Sequence, residues 1–245
     1  MSARWDGLWF ALAVLALWQG LHYLVGASGL SSPAETLGRV VAMMVSLGFW
    51  RNAAATGEAF ALAALITIVG GLACGLVLGL SRIAGEVAEP ILAVLYALPK
   101  ITLYPVILLF FGLGLPAKVA FGVAHGLFPV MILTMSGVRA IQPVIRKTAR
   151  AMRLSSFATM RTVLLPAAMP EIFTGLRIGI VLSMFGALIG ELFASDRGLG
   201  FLLMRVMERG DVAGTLALAV LLFAFAILSG IGLLALDRRL NHGRS

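Results

Sequence analysis

The chain has 245 residues, of which 60% are hydrophobic and only 12% are charged. Soluble domains carry charge at about a quarter of their positions, so this composition excludes an ordinary soluble protein. The formal net charge of +8 does not indicate nucleic-acid binding, because no stretch interleaves basic with aromatic side chains. Because Cys74 is the single cysteine, neither an intrachain disulfide nor a cysteine metal site can form.

Six segments are apolar and long enough to cross a hydrocarbon layer about 30 Å thick as helices. They are residues 8–25, 59–80, 90–115, 119–138, 172–194 and 212–236. The sequence therefore predicts an all-α polytopic membrane protein with a single transmembrane domain over residues 1–245. If the segments alternate, twelve basic residues lie on the side of the N-terminus and six on the other side, which places both termini in the cytoplasm.

The first segment has a second interpretation as a cleaved signal peptide, since Arg4 precedes a short apolar stretch. However, the apolar character continues to Val25 and no clean A-x-A cleavage site follows. These two observations favour a retained span.

The external stretch between the first two segments begins with a helix-start signal. Ser32 and Glu35 have the spacing of a capping box, and Pro33 occupies the first helical position. We expect a helix lying along the membrane surface here, with a binding role as the alternative.

The third segment is unusual because Lys100 lies near its middle, where inserting a lysine costs about 2.5–3.5 kcal/mol. Tyr96 and Tyr104 lie four residues to either side of it and share its helical face. Pro99 and Pro105 each remove a backbone hydrogen bond, and helices broken in this way line cavities or are buried by protein. We interpret this segment as a wall of a translocation pathway in which Lys100 attracts an anion.

Other interpretations of the ionisable residues in the apolar segments stay open. Lys100 pairs with Glu191 or a carbonyl group, or extends to the membrane surface. Glu191 is either a gate residue or the partner of a loop arginine, and His125 either packs in the interior or lines the pathway. Catalysis is disfavoured, because the serine nearest to His125, Ser136, lies about 16 Å away along the same helix. Nucleotide-binding P-loop and H-E-x-x-H motifs are absent as well.

Glycines recur at four-residue intervals in three of the segments. Small residues at this spacing let helix backbones approach closely in lipid. We expect most of them to serve packing within the chain: Gly71, Gly75 and Gly79; Gly122 and Gly126; Gly175 and Gly179; Gly186 and Gly190.

The loop between the fourth and fifth segments, residues 139–171, is basic and amphipathic. Its apolar side chains lie near one helical face and its basic side chains on the other. Such a helix can lie on anionic lipid, but Leu165-Pro166 is expected to stop it sharply before the fifth segment. A short rigid helix between two membrane anchors is suited to transmitting force.

This loop contains Lys147-Thr148-Ala149, then Arg153 four residues after Ala149, then Leu165-Pro166. The spacing resembles the loop of permease subunits of bacterial ABC importers, specifically the nitrate/sulfonate/taurine class, which reads E-A-A, a glycine, and a hydrophobic-Leu-Pro ending. Lys147, Thr148 and Arg153 depart from that pattern. Further matches, over about residues 30–236, are Ala97-Leu98-Pro99-Lys100, Phe111-Gly112-Leu113-Gly114, Val163-Leu164-Leu165-Pro166-Ala167-Ala168-Met169-Pro170, Thr174-Gly175-Leu176-Arg177, Glu191-Leu192-Phe193 and Gly198-Leu199-Gly200.

The resemblance implies a permease of the type I importer fold in the bacterial inner membrane. Six transmembrane helices would carry a cytoplasmic coupling helix, residues 148–156, between the fourth and the fifth. Two ATPase subunits would bind ATP and hold this helix, an external binding protein would deliver substrate, and a second permease copy would complete the pore, most simply as a homodimer. The chain itself would be neither an enzyme nor a binder of cofactor, metal or nucleic acid.

The resemblance also assigns residues. Those expected at the ATPase are Lys147, Thr148, Ala149, Arg150, Met152, Arg153, Leu154 and Ser155. Those expected along the pathway are Tyr96, Lys100, Tyr104, His125 and Glu191.

The family leans toward small anions such as a sulfonate, taurine or nitrate, and Lys100 suits that choice. A vitamin or thiamine-pyrimidine precursor is an alternative substrate. A secondary-transporter subunit is an alternative from a different class, but it would show inverted repeats and more acidic residues in the membrane.

Overall fold

The computed structural model describes residues 3–193 and 195–241, and every regular element among these residues is helical. The helices are α1 Ala3–Val25, α2 Pro33–Met44, α3 Leu47–Leu80, α4 Arg82–Ala97, α5 Tyr104–Phe111, α6 Leu115–Arg139, α7 Pro143–Ala151, α8 Ser156–Thr159, α9 Leu165–Phe193, α10 Leu199–Glu208 and α11 Val212–Asn241. A 3-10 turn, Lys100–Leu103, precedes α5, and a π-helical turn, Met160–Leu164, joins α8 to α9. The predicted all-α class is confirmed.

Four helical stretches in the described part of the chain are long and apolar enough to cross a membrane. They lie in α1, α3, α6 and the continuous stretch Phe157–Phe193. A fifth arises if α4 and the stretch Lys100–Phe111, which are bent by 88° to each other, count as one broken span. In α11 the apolar part among described residues, Val212–Leu228, is shorter. The chain is a multi-pass membrane protein, and the number of six spans stays a prediction.

Helices α3, α6 and α9 form the centre of the molecule. Glycines at four-residue intervals on α3 face α6: a Cβ at Gly75 would lie 2.6 Å from the Thr134 Cβ and 2.7 Å from the Met131 carbonyl oxygen. Deeper in the same bundle, the hydroxyls of Thr67 and Ser183 hydrogen-bond at 3.0 Å across α3 and α9. The predicted packing role of these glycines is confirmed, because only a residue without a side chain fits between such closely spaced backbones.

Helix α2 begins at the predicted capping box. The Glu35 N–H donates to the Ser32 Oγ at 3.2 Å, and the Ser32 N–H donates to the Glu35 carboxylate at 3.0 Å. The bond from the Ser32 backbone lowers the pKa of Glu35. Arg39 then pairs with Asp211 at 3.2 Å, which joins α2 to the start of α11.

The third predicted span, residues 90–115, differs from what the structure shows. Its first helix begins earlier, at Arg82, where the Ser81 Oγ accepts the Ala84 N–H. It ends at Ala97, because a residue before proline is pushed into extended backbone and Leu98 precedes Pro99. Pro105 does not interrupt a helix as expected. It lies in the first turn of α5, where a missing N–H leaves no intrahelical bond unmade.

The expected sharp stop at Leu165-Pro166 is wrong. The chain remains helical from α8 through the π-helical turn into α9, so that Phe157–Phe193 is one stretch of 37 residues. In the π-helical turn the hydrogen bonds span five residues instead of four. The wider turn just before Pro166 accommodates the proline ring and its missing N–H, which would otherwise break an α-helix.

Candidate coupling loop and translocation pathway

The loop between α6 and α9 exposes both apolar and basic side chains. Val144, Met152 and Phe157 are exposed by 60%, 67% and 74%, so apolar surface is available to a partner. Lys147 is exposed beside them. Of the remaining residues expected at the ATPase, Thr148, Arg153 and Ser155 are exposed, Leu154 is half-buried, Ala149 is buried, and the side chain of Arg150 lies outside the described residues.

The coupling helix ends earlier than predicted. Residues 148–156 were expected to be helical, but α7 ends at Ala151 and α8 begins at Ser156. Arg153 adopts a left-handed backbone with φ 53°, and the Leu154 N–H donates back to the Ala149 carbonyl at 3.2 Å. These are the marks of a Schellman helix end, in which the left-handed position is usually glycine. The structure thus explains why the resembling family has glycine at the position of Arg153.

Arg153→Gly is expected to stabilise the loop, because the left-handed conformation costs a residue with a Cβ about 1–2 kcal/mol. Glycine gives back part of this gain, because its unfolded chain has more conformational freedom. We expect a net gain of about 0.5–1 kcal/mol, measured as a raised unfolding temperature in detergent. Arg153→Ala is the matched control, since it removes the same charge but keeps the Cβ. An equal gain in both variants would contradict the backbone explanation.

Lys100 lies at the break between α4 and α5. Its Nζ donates to the Tyr96 carbonyl at 2.6 Å and lies 4.9 Å from the centre of the Tyr96 ring. The Phe128 ring lies 5.9 Å away. Of the alternatives that the sequence left open for Lys100, the structure shows the carbonyl partner.

Two other pathway candidates are engaged in contacts between helices. The His125 Nδ1 lies 2.8 Å from the Phe121 carbonyl one turn earlier, and Gly186 of α9 lies against the His125 ring. The Tyr104 hydroxyl donates to the carbonyl of Phe193 at the end of α9. The structure therefore places Lys100 at the break with Tyr96, whereas His125 and Tyr104 contact α9.

Glu191 has a partner other than the predicted ones, whereas its alternative role as a gate residue stays a prediction. Its carboxylate lies 3.6 Å from the Lys118 Nζ, and the two side chains are 0% and 2% exposed. The Thr56 hydroxyl donates to the carboxylate at 2.8 Å and the Gly200 N–H at 3.0 Å. The predicted partners, a loop arginine or Lys100, are wrong, because the cation that lies beside the carboxylate is Lys118 at the start of α6.

Lys118 was not among the residues predicted for the site; in the predicted topology it is one of the six basic residues on the side opposite the N-terminus. A signal was available: the predicted topology brings a lysine at the start of the fourth segment and a glutamate near the end of the fifth to the same membrane side. Two opposite charges in an apolar protein are stabilised by pairing, because an unpaired buried charge is expensive. The shared membrane side therefore made Lys118 one candidate partner of Glu191 among several cations.

We call Asn52, Thr56, Lys118 and Glu191 the Lys118–Glu191 cluster. It also holds the backbone that leads into α10: the Gly198 N–H donates to the Asn52 Oδ1 at 2.7 Å, and the Leu199 N–H to the Thr56 Oγ1 at 2.8 Å. The free N–H groups at a helix start need such acceptors. The cluster therefore fixes α10 to α3, α6 and α9.

A central bundle of membrane-length helices, a broken helix that carries Lys100, and an exposed basic loop between two spans are typical of a membrane transport subunit. The chain belongs to the family of binding-protein-dependent transport system inner membrane components, whose pattern matches residues 68–242. It is thus a permease subunit of an ABC importer, which works with ATPase and substrate-binding partners, and not an enzyme. Membership of this family also excludes the secondary-transporter alternative.

Individual relatives agree with this assignment. The chain is 29% identical over 243 residues to the taurine transport system permease protein TauC of Escherichia coli, covering 96% of this chain and 86% of the relative. It is 26% identical over 233 residues to the formylaminopyrimidine transport permease protein ThiX of Halalkalibacterium halodurans, covering 95% and 92%. An inward-facing structure of the MetNI methionine ABC transporter has a similar fold, with a TM-score of 0.59 at 19% identity, covering 78% of this chain and 94% of that chain.

Proposed function

We propose that this importer carries a small solute with an anionic group, such as a sulfonate, taurine or nitrate, past Lys100. The main support for this proposal is the position of Lys100, which is half-buried at the break between α4 and α5. Among the described residues no carboxylate lies within salt-bridge distance of its Nζ; the carbonyls of Tyr96 and Leu98 and two aromatic rings surround it instead. A lysine near mid-membrane is costly unless its charge is paired. Without a carboxylate partner among the described residues, the Lys100 ammonium is available to pair with an anionic group of the solute in transit.

The similarity to a taurine permease supports a solute with an anionic group, because taurine is a zwitterion that carries a sulfonate. The similarity to ThiX, which covers 92% of that protein, favours a formylaminopyrimidine as the second candidate. With either substrate, two copies of this chain form the pore in the bacterial inner membrane. Each copy is one permease domain over residues 1–245, with both termini in the cytoplasm. Two ATPases grip the loops, and an external binding protein delivers the solute.

Uptake by proteoliposomes that contain the chain, its ATPase and its binding protein tests the substrate. Labelled taurine, nitrate and a formylaminopyrimidine are offered in parallel. We expect ATP-dependent uptake of taurine or nitrate. Uptake of the pyrimidine alone would replace the anion proposal with the second candidate.

Lys100→Ala is expected to lower uptake of the anion about tenfold or more, which corresponds to losing about 1.4 kcal/mol of favourable interaction in the pathway. Lys100→Arg is the matched control, because it keeps the positive charge, and we expect it to retain more uptake. Normal uptake of the anion by Lys100→Ala would remove Lys100 from the mechanism.

In the transport cycle, ATP binding closes the two ATPases and brings the coupling loops together, so that the pore changes from inward-facing to outward-facing. The exposed face of α7 and the turn at Arg153 would form the contact with the ATPase. Because Lys147 and Arg153 add positive charge where the resembling family has glutamate and glycine, we propose an acidic groove on the partner ATPase.

Reversing both charges, as Lys147→Glu with Arg153→Glu, is expected to weaken association with the ATPase at least tenfold, because like charges then face each other across the contact. Co-purification from detergent at two salt concentrations measures the effect. Arg161→Glu, an exposed charge outside α7, is the control. Unchanged assembly of the double variant would contradict the acidic groove.

A further inference from the structure

An ion pair joins the start of the coupling loop to α4. The Arg139 Nη1 donates to the Glu89 Oε2 at 2.7 Å. Arg139 is the last residue of α6, and α7 begins soon after it, at Pro143. Any displacement of α7 therefore acts almost directly on the Arg139 backbone.

The Arg139 side chain crosses α4 at a glycine. A Cβ at Gly85 would lie 3.1 Å from the Arg139 Cδ and 2.9 Å from the Leu78 carbonyl oxygen at the end of α3. Gly85 lies one helical turn before Glu89, so the arginine stem lies across α4 and its guanidinium reaches the next turn. The absence of a side chain at Gly85 is what allows this close contact.

The same side of α4 contacts α6 as far as the break. Leu92 packs against Met131 and Met135 in a buried cluster, and beyond it Lys100 lies near the Phe128 ring. The rest of α4 is exposed within this chain, for example Val87 at 58% and Val94 at 63%. The contact of α4 with α6 thus has Arg139 and Glu89 at one end and Lys100 at the other.

An open cavity of about 410 Å³ separates the turn between α3 and α4 from the start of the coupling loop. Its lining includes Gly79, Arg82, Glu86, Arg139, Ile141 and Pro143. Arg139 is thus both one of the residues that line this cavity and the residue whose guanidinium reaches Glu89 on α4.

We propose that Arg139 and Glu89 are positioning residues that transmit displacement of the coupling loop to α4, and through α4 to the break that carries Lys100. A charge-assisted hydrogen bond is short and directional, so it can pull as well as push. The movement then passes along the rigid α4 helix, and Leu92 keeps α4 packed against Met131 and Met135 of α6 as it moves, because packed interiors deform little. The inference rests on the proposed function of the loop and of Lys100.

The pair is poorly placed to serve stability. The side chains of Arg139 and Glu89 are 27% and 61% exposed, and solvent-exposed ion pairs contribute little to the free energy of folding. Variants that lack the pair are therefore expected to fold, so that a defect in transport is separable from a defect in assembly.

The test measures solute imported per ATP hydrolysed in proteoliposomes that contain the ATPase and the binding protein. We expect Arg139→Gln and Glu89→Gln each to lower this ratio about tenfold, within the range usual for coupling between sites. The charge-exchanged double variant, Arg139→Glu with Glu89→Arg, is expected to restore most of it. Because uptake is counted per ATP hydrolysed, a merely structural defect would lower uptake and hydrolysis together and leave the ratio unchanged.

Arg82→Gln is the matched control. It removes an ion pair of similar length, 2.9 Å to Glu86, that lies within α4 and bridges no other helix, so the ratio is expected to stay the same. A wild-type ratio in Arg139→Gln and Glu89→Gln, or a double variant no better than the single ones, would overturn the inference. Absence of ATP-dependent uptake by the unaltered chain would instead overturn the proposed function itself.

Discussion

Glu191→Ala is expected to destabilise the folded chain by about 3–5 kcal/mol, because it leaves the Lys118 ammonium buried without a carboxylate. The same change removes the acceptor of the Thr56 hydroxyl and of the Gly200 N–H at the start of α10. Loss of these bonds loosens the start of α10, which then keeps the bonds of Gly198 to Asn52 and of Leu199 to Thr56. We therefore expect a lower unfolding temperature in detergent, and earlier protease cleavage between α9 and α10.

A double variant separates charge from hydrogen bonding in this cluster. Lys118→Met with Glu191→Gln removes both charges but keeps a side-chain carbonyl that accepts from Thr56 and Gly200. Because replacing both partners of a buried pair is far less costly than replacing one, this variant is expected to recover much of the lost stability. If Glu191→Ala unfolds like the unaltered chain, the cluster does not hold α10.

Gly126→Ala is expected to have the second large effect. A Cβ at this position would lie 2.4 Å from the Gly179 carbonyl oxygen on α9 and 2.9 Å from the Thr67 side chain on α3. Backbone cannot rotate away as a side chain can, so α6 and α9 must separate. Overpacking of this kind costs about 1–3 kcal/mol, and we expect the upper end.

Gly57→Ala on α3 is the control for that substitution, because nothing lies within 4 Å of its added Cβ. Alanine has the higher helix propensity by about 1 kcal/mol, so this variant is expected to match or exceed the parent in stability. Both variants are compared by unfolding temperature in the same detergent. Equal behaviour of the two would contradict the close packing of α6 on α9.

Features that depend on neighbouring residues along the chain were predictable from the sequence. The apolar segments give helices, the Ser32–Glu35 spacing gives the capping box, and the glycines at four-residue intervals give the contact of α3 with α6. The helix break at Pro99 follows from the restriction that proline places on the residue before it. Each of these depends on a steric or hydrogen-bonding rule that acts over a few residues.

Features that depend on the three-dimensional arrangement were not predictable in the same way. The partner of Glu191 depends on which of several cations the bundle brings nearest, and α6 brings Lys118. The helix continues through Pro166 because a π-helical turn absorbs it, which the sequence pattern does not show. The end of α7 at Ala151 needed the left-handed backbone of Arg153, a conformation that an arginine does not suggest and that only the glycine of the resembling pattern indicates.

The central claim is that the loop between α6 and α9 faces the cytoplasm and is held there by an ATPase. Single-cysteine labelling tests it directly, with Cys74→Ala as the background and Met152→Cys, at a position 67% exposed, as the reporter. Asp196→Cys, whose native side chain is 85% exposed, reports the opposite side. We predict that a membrane-impermeant thiol reagent labels the Met152→Cys variant only from the cytoplasmic side, and that bound ATPase protects it. Labelling of that variant from outside intact cells would contradict the account.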